Sequence, residues 1–353
     1  MTHNNYGLTS DDLKKCIIVR TPNWLGDAIM TIPAIKCLHK ISPIESSLYV
    51  ITNDNLKPLF DSIEFIKGTI NVGDGHSKWR PEIVREIKAL NPGLGFLFVD
   101  TFRSAWYLKK CVPKLFGASN GLRDFLLTKT FQIKWHEKKS CADEHQIYKY
   151  LNPIYLLGGN IWDGKYPKFK IISDSEVKDQ RTVNFIKKGK ILVVAPGAAY
   201  GSAKKWSAEN YNTICDYWIK KEFGKVVILG TKNEIDSANI VSNGLDQAKV
   251  LNLAGKTNLK ELIYILKNSN LCICNDSGIM HLGSVLDIKG ITIFGSTDPQ
   301  ATGPLSKNWK VLIKKQDCAP CFLRECVNHD KDYLCLKSIT TEEVIKTINE
   351  TII

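Results

Sequence analysis

The sequence predicts an α/β protein of two Rossmann-like, doubly wound domains, and three observations predict it. Apolar, strand-sized runs alternate with helix-sized segments along nearly the whole chain, as in parallel sheets joined by crossover helices. Glycine-bearing polar segments repeatedly follow those strands, where doubly wound sheets bind ligands. The length of 353 residues is long for one core and comfortable for two.

Residues 1–14 are polar and read as a flexible tail, and they lack the basic stretch and apolar core of a signal peptide. The first domain, 15–170, opens with a strand over 16–20 and a helix over 27–40. A strand over 48–52, a helix over about 81–90 and a strand over 95–100 follow at βα spacing. Pro22 falls in the first turn, whereas Pro33 lies inside the helix and predicts a kink. Segment 103–139 continues this domain, and 145–158 reads as a helix made irregular by Pro153. Residues 159–190, richer in Gly, Lys and Asp, form the connection.

The second domain, 171–335, alternates more cleanly. Its strands are expected at 191–195, 225–229, 250–253, 271–275 and 290–294, and its helices at 208–222, 233–243, 258–268 and 278–286. Val226 to Leu229 is the β-rich run that a buried strand requires. Residues 336–353 hold a closing helix, with Thr340 as N-cap and Glu342 and Glu343 at the positive end of its dipole.

Composition narrows the partners. No apolar run approaches 18 residues, which excludes an apolar membrane-crossing helix and makes a cytoplasmic location the expectation. The net charge of +12 is concentrated: residues 103–139 carry nine Lys and Arg against Asp124 and Glu137, with aromatics among them. No helix-turn-helix or RNA-recognition pattern accompanies this charge, so nucleic acid is not the expected partner. An anionic membrane surface or a phosphorylated glycolipid suits it better, beside the plain alternative of a solvated basic face.

Of the eleven cysteines, Cys16, Cys37, Cys111, Cys141, Cys215, Cys272 and Cys274 are scattered and read as buried thiols. Cys318, Cys321, Cys326 and Cys335 cluster within one short segment. Two readings stand there, a structural zinc site and reduced thiols packed in a loop, and the irregular spacing favours the second.

Four segments follow strands with chemistry to offer. In Asn275-Asp-Ser-Gly-Ile-Met-His281 a strand runs into a helix start, whose free amides and dipole suit an anion, usually phosphate. There the Ser277 and Gly278 amides face phosphate, Asp276 a sugar hydroxyl, and His281 the same pocket one turn in. Met280 packs against a base or the core. The others are Trp24-Leu-Gly-Asp27, Pro196-Gly-Ala-Ala-Tyr-Gly-Ser-Ala-Lys-Lys-Trp206 and Phe294-Gly-Ser-Thr-Asp-Pro299. By residue type alone Asp27 is a helix cap or a base, Lys204 a solvated lysine or a diphosphate contact, and Trp206 a core aromatic. Glu234 is a further ribose candidate. Asn23, Trp24, Arg103 and Arg123 are acceptor candidates, the two arginines having the bidentate geometry for phosphate or carboxylate, unless they are plain surface cations.

Over roughly residues 15–345 these motifs resemble the ADP-heptose–lipopolysaccharide heptosyltransferases, and the loop beginning at Pro196 is most similar to the heptosyltransferase II branch. The resemblance implies the GT-B fold, two Rossmann-like domains facing across a cleft. It implies inverting transfer of heptose from ADP-heptose to a lipid A–Kdo–heptose acceptor at the inner face of the cytoplasmic membrane. It also makes Asp27 the general base and Lys204 the diphosphate contact. At Ala199 and Tyr200 a related branch has hydroxyl residues, and here only Tyr200 retains a donor. No cofactor is implied. Metal-dependent transferases usually carry Asp-x-Asp at a strand end, and the only close match, Asp330-Lys-Asp332, lies in the cysteine-rich segment. The alternatives are heptosyltransferases I or III on another acceptor, a nucleotide-sugar epimerase, or a binding protein. No second carboxylate near Asp27 supports an epimerase, and retention of Asp27 and Lys204 argues against a binding protein.

Overall fold

The computed structural model describes residues 10–132, 145–159, 161–328, 330 and 332–352. These fall into two compact units, one of residues 10–132 and 146–170, the other of 145 and 171–352. Among the described residues every paired strand is parallel.

The first unit holds β1 (Cys16–Arg20), β2 (Leu48–Thr52), β3 (Gly68–Asn71), β4 (Pro92–Leu97), β5 (Lys114–Ala118) and β6 (Lys129–Phe131). Its helices are α1 (Ser10–Lys14), α2 (Leu25–Ile41), α3 (Lys57–Asp61), α4 (Pro81–Ala89), α5 (Phe102–Lys109) and α6 (Ile147–Leu156). The sheet order is β3-β2-β1-β4-β5-β6. β1 and β4 are buried along their whole length, which is why they read as continuous apolar runs.

Three expectations need correcting here. Residues 10–14 are helical rather than tail: Asp11 and Asp12 stand in the first turn of α1 and Lys14 in its last, as its dipole favours. Asp12 also pairs with Lys114 at 2.6 Å and ties α1 to β5. β4 begins at Pro92 rather than at 95, since proline is tolerated as the first residue of a strand. The basic segment contains α5, β5, a 3₁₀ turn (Gly121–Leu126) and β6. Those strands escaped the sequence reading because they are short and mixed with Lys and Gly. Lys134, Trp135, Glu137, Lys138, Lys139 and Cys141 lie outside the described residues.

In the second unit β7 (Ile191–Ala195), β8 (Lys225–Ile228), β9 (Val250–Asn252), β10 (Leu271–Asn275), β11 (Gly290–Phe294) and β12 (Trp309–Ile313) pair in the order β12-β11-β10-β7-β8-β9. Its helices are α7 (Gln180–Ile186), α8 (Ala208–Lys220), α9 (Ile235–Ser242), α10 (Leu259–Lys267), α11 (Gly278–Val285), α12 (Pro299–Thr302), α13 (Leu334–Lys337) and α14 (Thr341–Ile352). Counted from its own first strand, this is the order of the first sheet over again. In each sheet the order reverses beside the first strand, between β1 and β4 and between β7 and β10, and ligands bind at such points. Trp24 to Asp27 follow β1, Pro196 to Lys204 follow β7, and Asp276 to His281 follow β10. The topology thus puts the three principal motifs at the switch points.

Candidate active site

In the first unit Asp27 stands in the first turn of α2, where Trp24 is the N-cap residue and makes no side-chain cap bond. Asp27 is therefore not the cap that its residue type allowed. Its Oδ1 accepts hydrogen bonds from Gln146 Nε2 at 3.0 Å and from the Tyr150 hydroxyl at 3.4 Å. Both donors belong to the chain at α6, Gln146 just before it and Tyr150 one turn on. Burial, together with the neighbouring Asp27 and Asp100 charges, pushes the Tyr150 phenol well up, so it stays a donor. Two neutral donors thus help to orient the half-buried carboxylate.

The loop before α2 is fixed by Arg20, the last residue of β1. Its buried guanidinium donates to the Thr21 and Ile51 carbonyls and, at 2.7 Å, to Asn23 Oδ1. Burial lowers its pKa to about 10, which leaves it charged at neutral pH. Asn23 passes the connection on, donating to the Gly75 carbonyl at 3.2 Å. Trp24, by contrast, is 58% exposed.

In the second unit Lys204 Nζ lies 2.5 Å from Asp276 Oδ2, with Asp276 buried and the lysine nearly so. The Thr297 hydroxyl donates to the same oxygen at 2.6 Å. Asn275, fully buried at the end of β10, accepts from the Trp206 backbone and the Tyr211 hydroxyl and donates to the Pro196 carbonyl at 2.7 Å. One side chain thereby holds the loop after β7 against the end of β10. Ser277 is extended, precedes α11 and makes no side-chain cap bond, so the first amides of α11 are open to an anion. Burial lowers the His281 pKa to about 4, with Lys204 and His145 adding to the shift and Asp276 opposing it. The imidazole is therefore neutral at pH 7.

The cysteine-rich segment braces the Lys204 loop. The Arg324 carbonyl accepts from Ala203 N at 2.9 Å and sits so close to Gly201 that a Cβ there would fall 2.2 Å from its oxygen. Phe322 N donates to the Ser296 carbonyl at 2.7 Å, and the Ser202 and Tyr333 hydroxyls lie 2.7 Å apart. Together these groups offer a cation, a neutral imidazole and helix-start amides, a set suited to a diphosphate.

The sequence profile of glycosyltransferase family 9 (heptosyltransferase) matches residues 83–331. The chain belongs to that family. Among its relatives, lipooligosaccharide heptosyltransferase 2 of Campylobacter jejuni is 29% identical over 95% of this chain and 98% of that protein. Lipopolysaccharide heptosyltransferase 2 of Salmonella typhimurium is 31% identical over 84% and 87%. The solved E. coli ADP-heptose lps heptosyltransferase II matches with a TM-score of 0.77 at 20% identity, covering 95% of this chain and 98% of that one. The shared fold is GT-B.

Several residues that the sequence singled out in this family 9 chain have structural partners instead of an open aspect. Arg123 is buried, not a surface cation; it donates to the Val99 and Ala118 carbonyls and pairs with Asp100 at 3.7 Å. Asn23 has both ends of its amide engaged. Glu234 Oε2 accepts from Thr231 N at 2.7 Å and from its hydroxyl at 2.9 Å in a capping box, and the carboxylate packs against Gly197, where no Cβ fits. The Tyr200 hydroxyl donates to the Phe322 carbonyl at 2.7 Å, while its ring lies under Lys204 at 4.8 Å. Met280 is buried, Trp206 is a core aromatic as expected, and Ala199 is exposed. Arg103 stays exposed, with one bond of 3.3 Å to the Ser77 carbonyl.

The four clustered cysteines are free, and among the described residues no three His, Cys, Asp or Glu side chains are placed to hold a metal. Cys326 turns to its own loop, accepting from Tyr333 N at 3.4 Å, and Cys318 and Cys321 are exposed. Burial pushes the Cys335 thiol up, and the neighbouring Cys321, Cys318 and Cys326 add to the rise, so the four thiols gather in one loop. Sequence reasoning missed Arg20, Gln146, Tyr150, Asn275 as a tie, and Thr297. The spacing of Gln146 and Tyr150 puts them on one helical face, but nothing in it points to Asp27.

Proposed function

We propose that this family 9 enzyme transfers L-glycero-D-manno-heptose from ADP-heptose to the heptose of a lipid A–Kdo–heptose acceptor, the reaction of heptosyltransferase II. The observation that carries the chemistry is the pair of switch-point motifs: an oriented carboxylate after β1, and, after β7 and β10, an anion-suited group of Lys204, His281 and the start of α11, with Asp276 positioning the lysine. The near full-length likeness to proteins named heptosyltransferase 2 supports the choice of acceptor.

In this reading Asp27 takes the proton from the acceptor hydroxyl, whose oxygen lone pair forms the new bond to the anomeric carbon of the donor. The bond from that carbon to the diphosphate breaks, its electrons leave with ADP, and the configuration inverts. Lys204 offsets the charge that develops on the departing diphosphate, and the α11 amides add hydrogen bonds. Trp24 and Arg103, both exposed, remain the acceptor candidates of the first unit. No cofactor takes part, and the absence of Asp-x-Asp at a strand end supports transfer without a metal.

The test is transfer from ADP-heptose to core-truncated lipopolysaccharide bearing one heptose, with and without chelator. Turnover that survives chelation and disappears in Asp27→Ala is the expected result. Activity only on heptose-free core makes the enzyme type I, and no transfer to either acceptor removes the donor assignment.

A further inference from the structure

The first unit carries an exposed apolar surface that reaches past Arg103, the acceptor candidate, to side chains given no role above. Along α5, Phe102, Trp106, Lys109 and Lys110 are exposed while Ser104, Ala105 and Leu108 are buried, so helical spacing places rings and lysines on one outward face. The neighbouring 3₁₀ turn exposes Leu122 and Phe125, which are 85% and 69% accessible, and buries Arg123 and Leu126. The two elements share one surface: the Phe102 ring lies 6.1 Å from that of Trp106 and 6.0 Å from that of Phe125. Lys110 Nζ sits 4.5 Å over the Trp106 ring.

Four large apolar side chains in one patch are not the incidental exposure of a soluble surface. Cations border them, with Arg103, Lys109 and Lys110 exposed on the same helix. The acids beside these elements in the sequence are already engaged. Asp124 accepts from Ser119 and Asn120, and Asp100 pairs with Lys149 and Arg123. Aromatic and aliphatic tips with lysines beside them are the composition of a surface that lies in the interfacial layer of an anionic bilayer. Among the described residues no helix is long and apolar enough to cross a membrane.

We infer that Phe102, Trp106, Leu122 and Phe125, bordered by Arg103, Lys109 and Lys110, form a membrane-docking surface for an anionic lipid leaflet. The inference takes from the proposed function only that the acceptor is lipid-anchored, and vesicle binding is read without either substrate, so the two readings fail separately.

The experiment is co-sedimentation of the full chain with vesicles of phosphatidylcholine alone and of phosphatidylcholine with phosphatidylglycerol, at low and high salt. The protein should bind the anionic vesicles, and salt should weaken that binding. Leu122→Ser with Phe125→Ser should lower the partition constant about tenfold or more, with melting temperature unchanged because both side chains already face water. Lys109→Ser and Lys110→Ser should each lower it about fivefold, on anionic vesicles only. Absence of binding, or binding that the Leu122 and Phe125 substitutions leave intact, overturns the inference. Binding that requires the acceptor glycolipid in the vesicle also overturns it and makes the patch an acceptor subsite.

Discussion

The two units share one sheet order and use the same place in it, yet they furnish that place differently. After β1 the proposed functional group is a carboxylate that accepts from Gln146 and Tyr150, on a unit whose outer surface keeps Trp24, Phe102, Trp106, Leu122 and Phe125 in water. After β7 and β10 it is an ion pair shielded from water, locked to Thr297 and braced by the cysteine-rich segment. Doubly wound topology therefore decides where a ligand binds, and the loops decide how rigid the site is. A base needs an accessible carboxylate, whereas a diphosphate site gains from charge fixed before the ligand arrives.

The sharpest way to break this comparison is to remove each charge. Asp27→Asn should lower turnover by about 10²–10⁴-fold, the range for one general base, with ADP binding and melting temperature unchanged. If stability falls as well, Asp27 is as structural as its counterpart. Lys204→Met should lower kcat/KM by about 10²–10³-fold and also cost roughly 3 kcal/mol of stability, because Asp276 is left nearly buried without its cation. Denaturant unfolding of the two variants side by side checks the contrast: only the second should be destabilised.

The pH dependence should be led by the second unit, with a smaller part from His39 of the first, whose pKa burial also lowers. His281 has a folded pKa of about 4, below that of the unfolded chain. Between those values the unfolded state binds the extra proton, so stability rises with pH across that window and is lost as pH falls from about 6.5 toward 4. The loss should be on the order of 2–3 kcal/mol, and His281→Asn should flatten this part of the unfolding profile. His145 shifts the same way through burial, so a residual slope should remain in that variant. The smallest effect is expected at the brace. Tyr333→Phe removes the contact to Ser202 at a cost of about 1 kcal/mol, and it should raise KM for the donor a few-fold with kcat little changed. A fall in kcat instead would mean that the brace acts on the chemical step.

Much of this was legible in the chain itself. The strands β1, β7, β10 and β11 are buried end to end and so read as unbroken apolar runs. The motifs after them announced their positions because a switch-point loop must be small and polar. The short strands β3, β5, β6 and β12 gave no comparable signal, since a strand of three to five mixed residues is too short to show a period, and three of them are edge strands.

The sequence by itself determined two doubly wound domains, the location of the switch-point motifs, the candidacy of Asp27 and Lys204, and the basic character of segment 103–139. Each follows from neighbours along the chain, where spacing and residue type suffice. Only the tertiary structure decided that Tyr150 and Gln146 hold Asp27, that Asn275 ties two loops, that Arg123 is a buried fixture, and that Leu122 and Phe125 join Phe102 and Trp106 in one patch. Those outcomes depend on residues far apart in sequence meeting with defined geometry, and no periodicity along the chain encodes which partner a polar side chain will find.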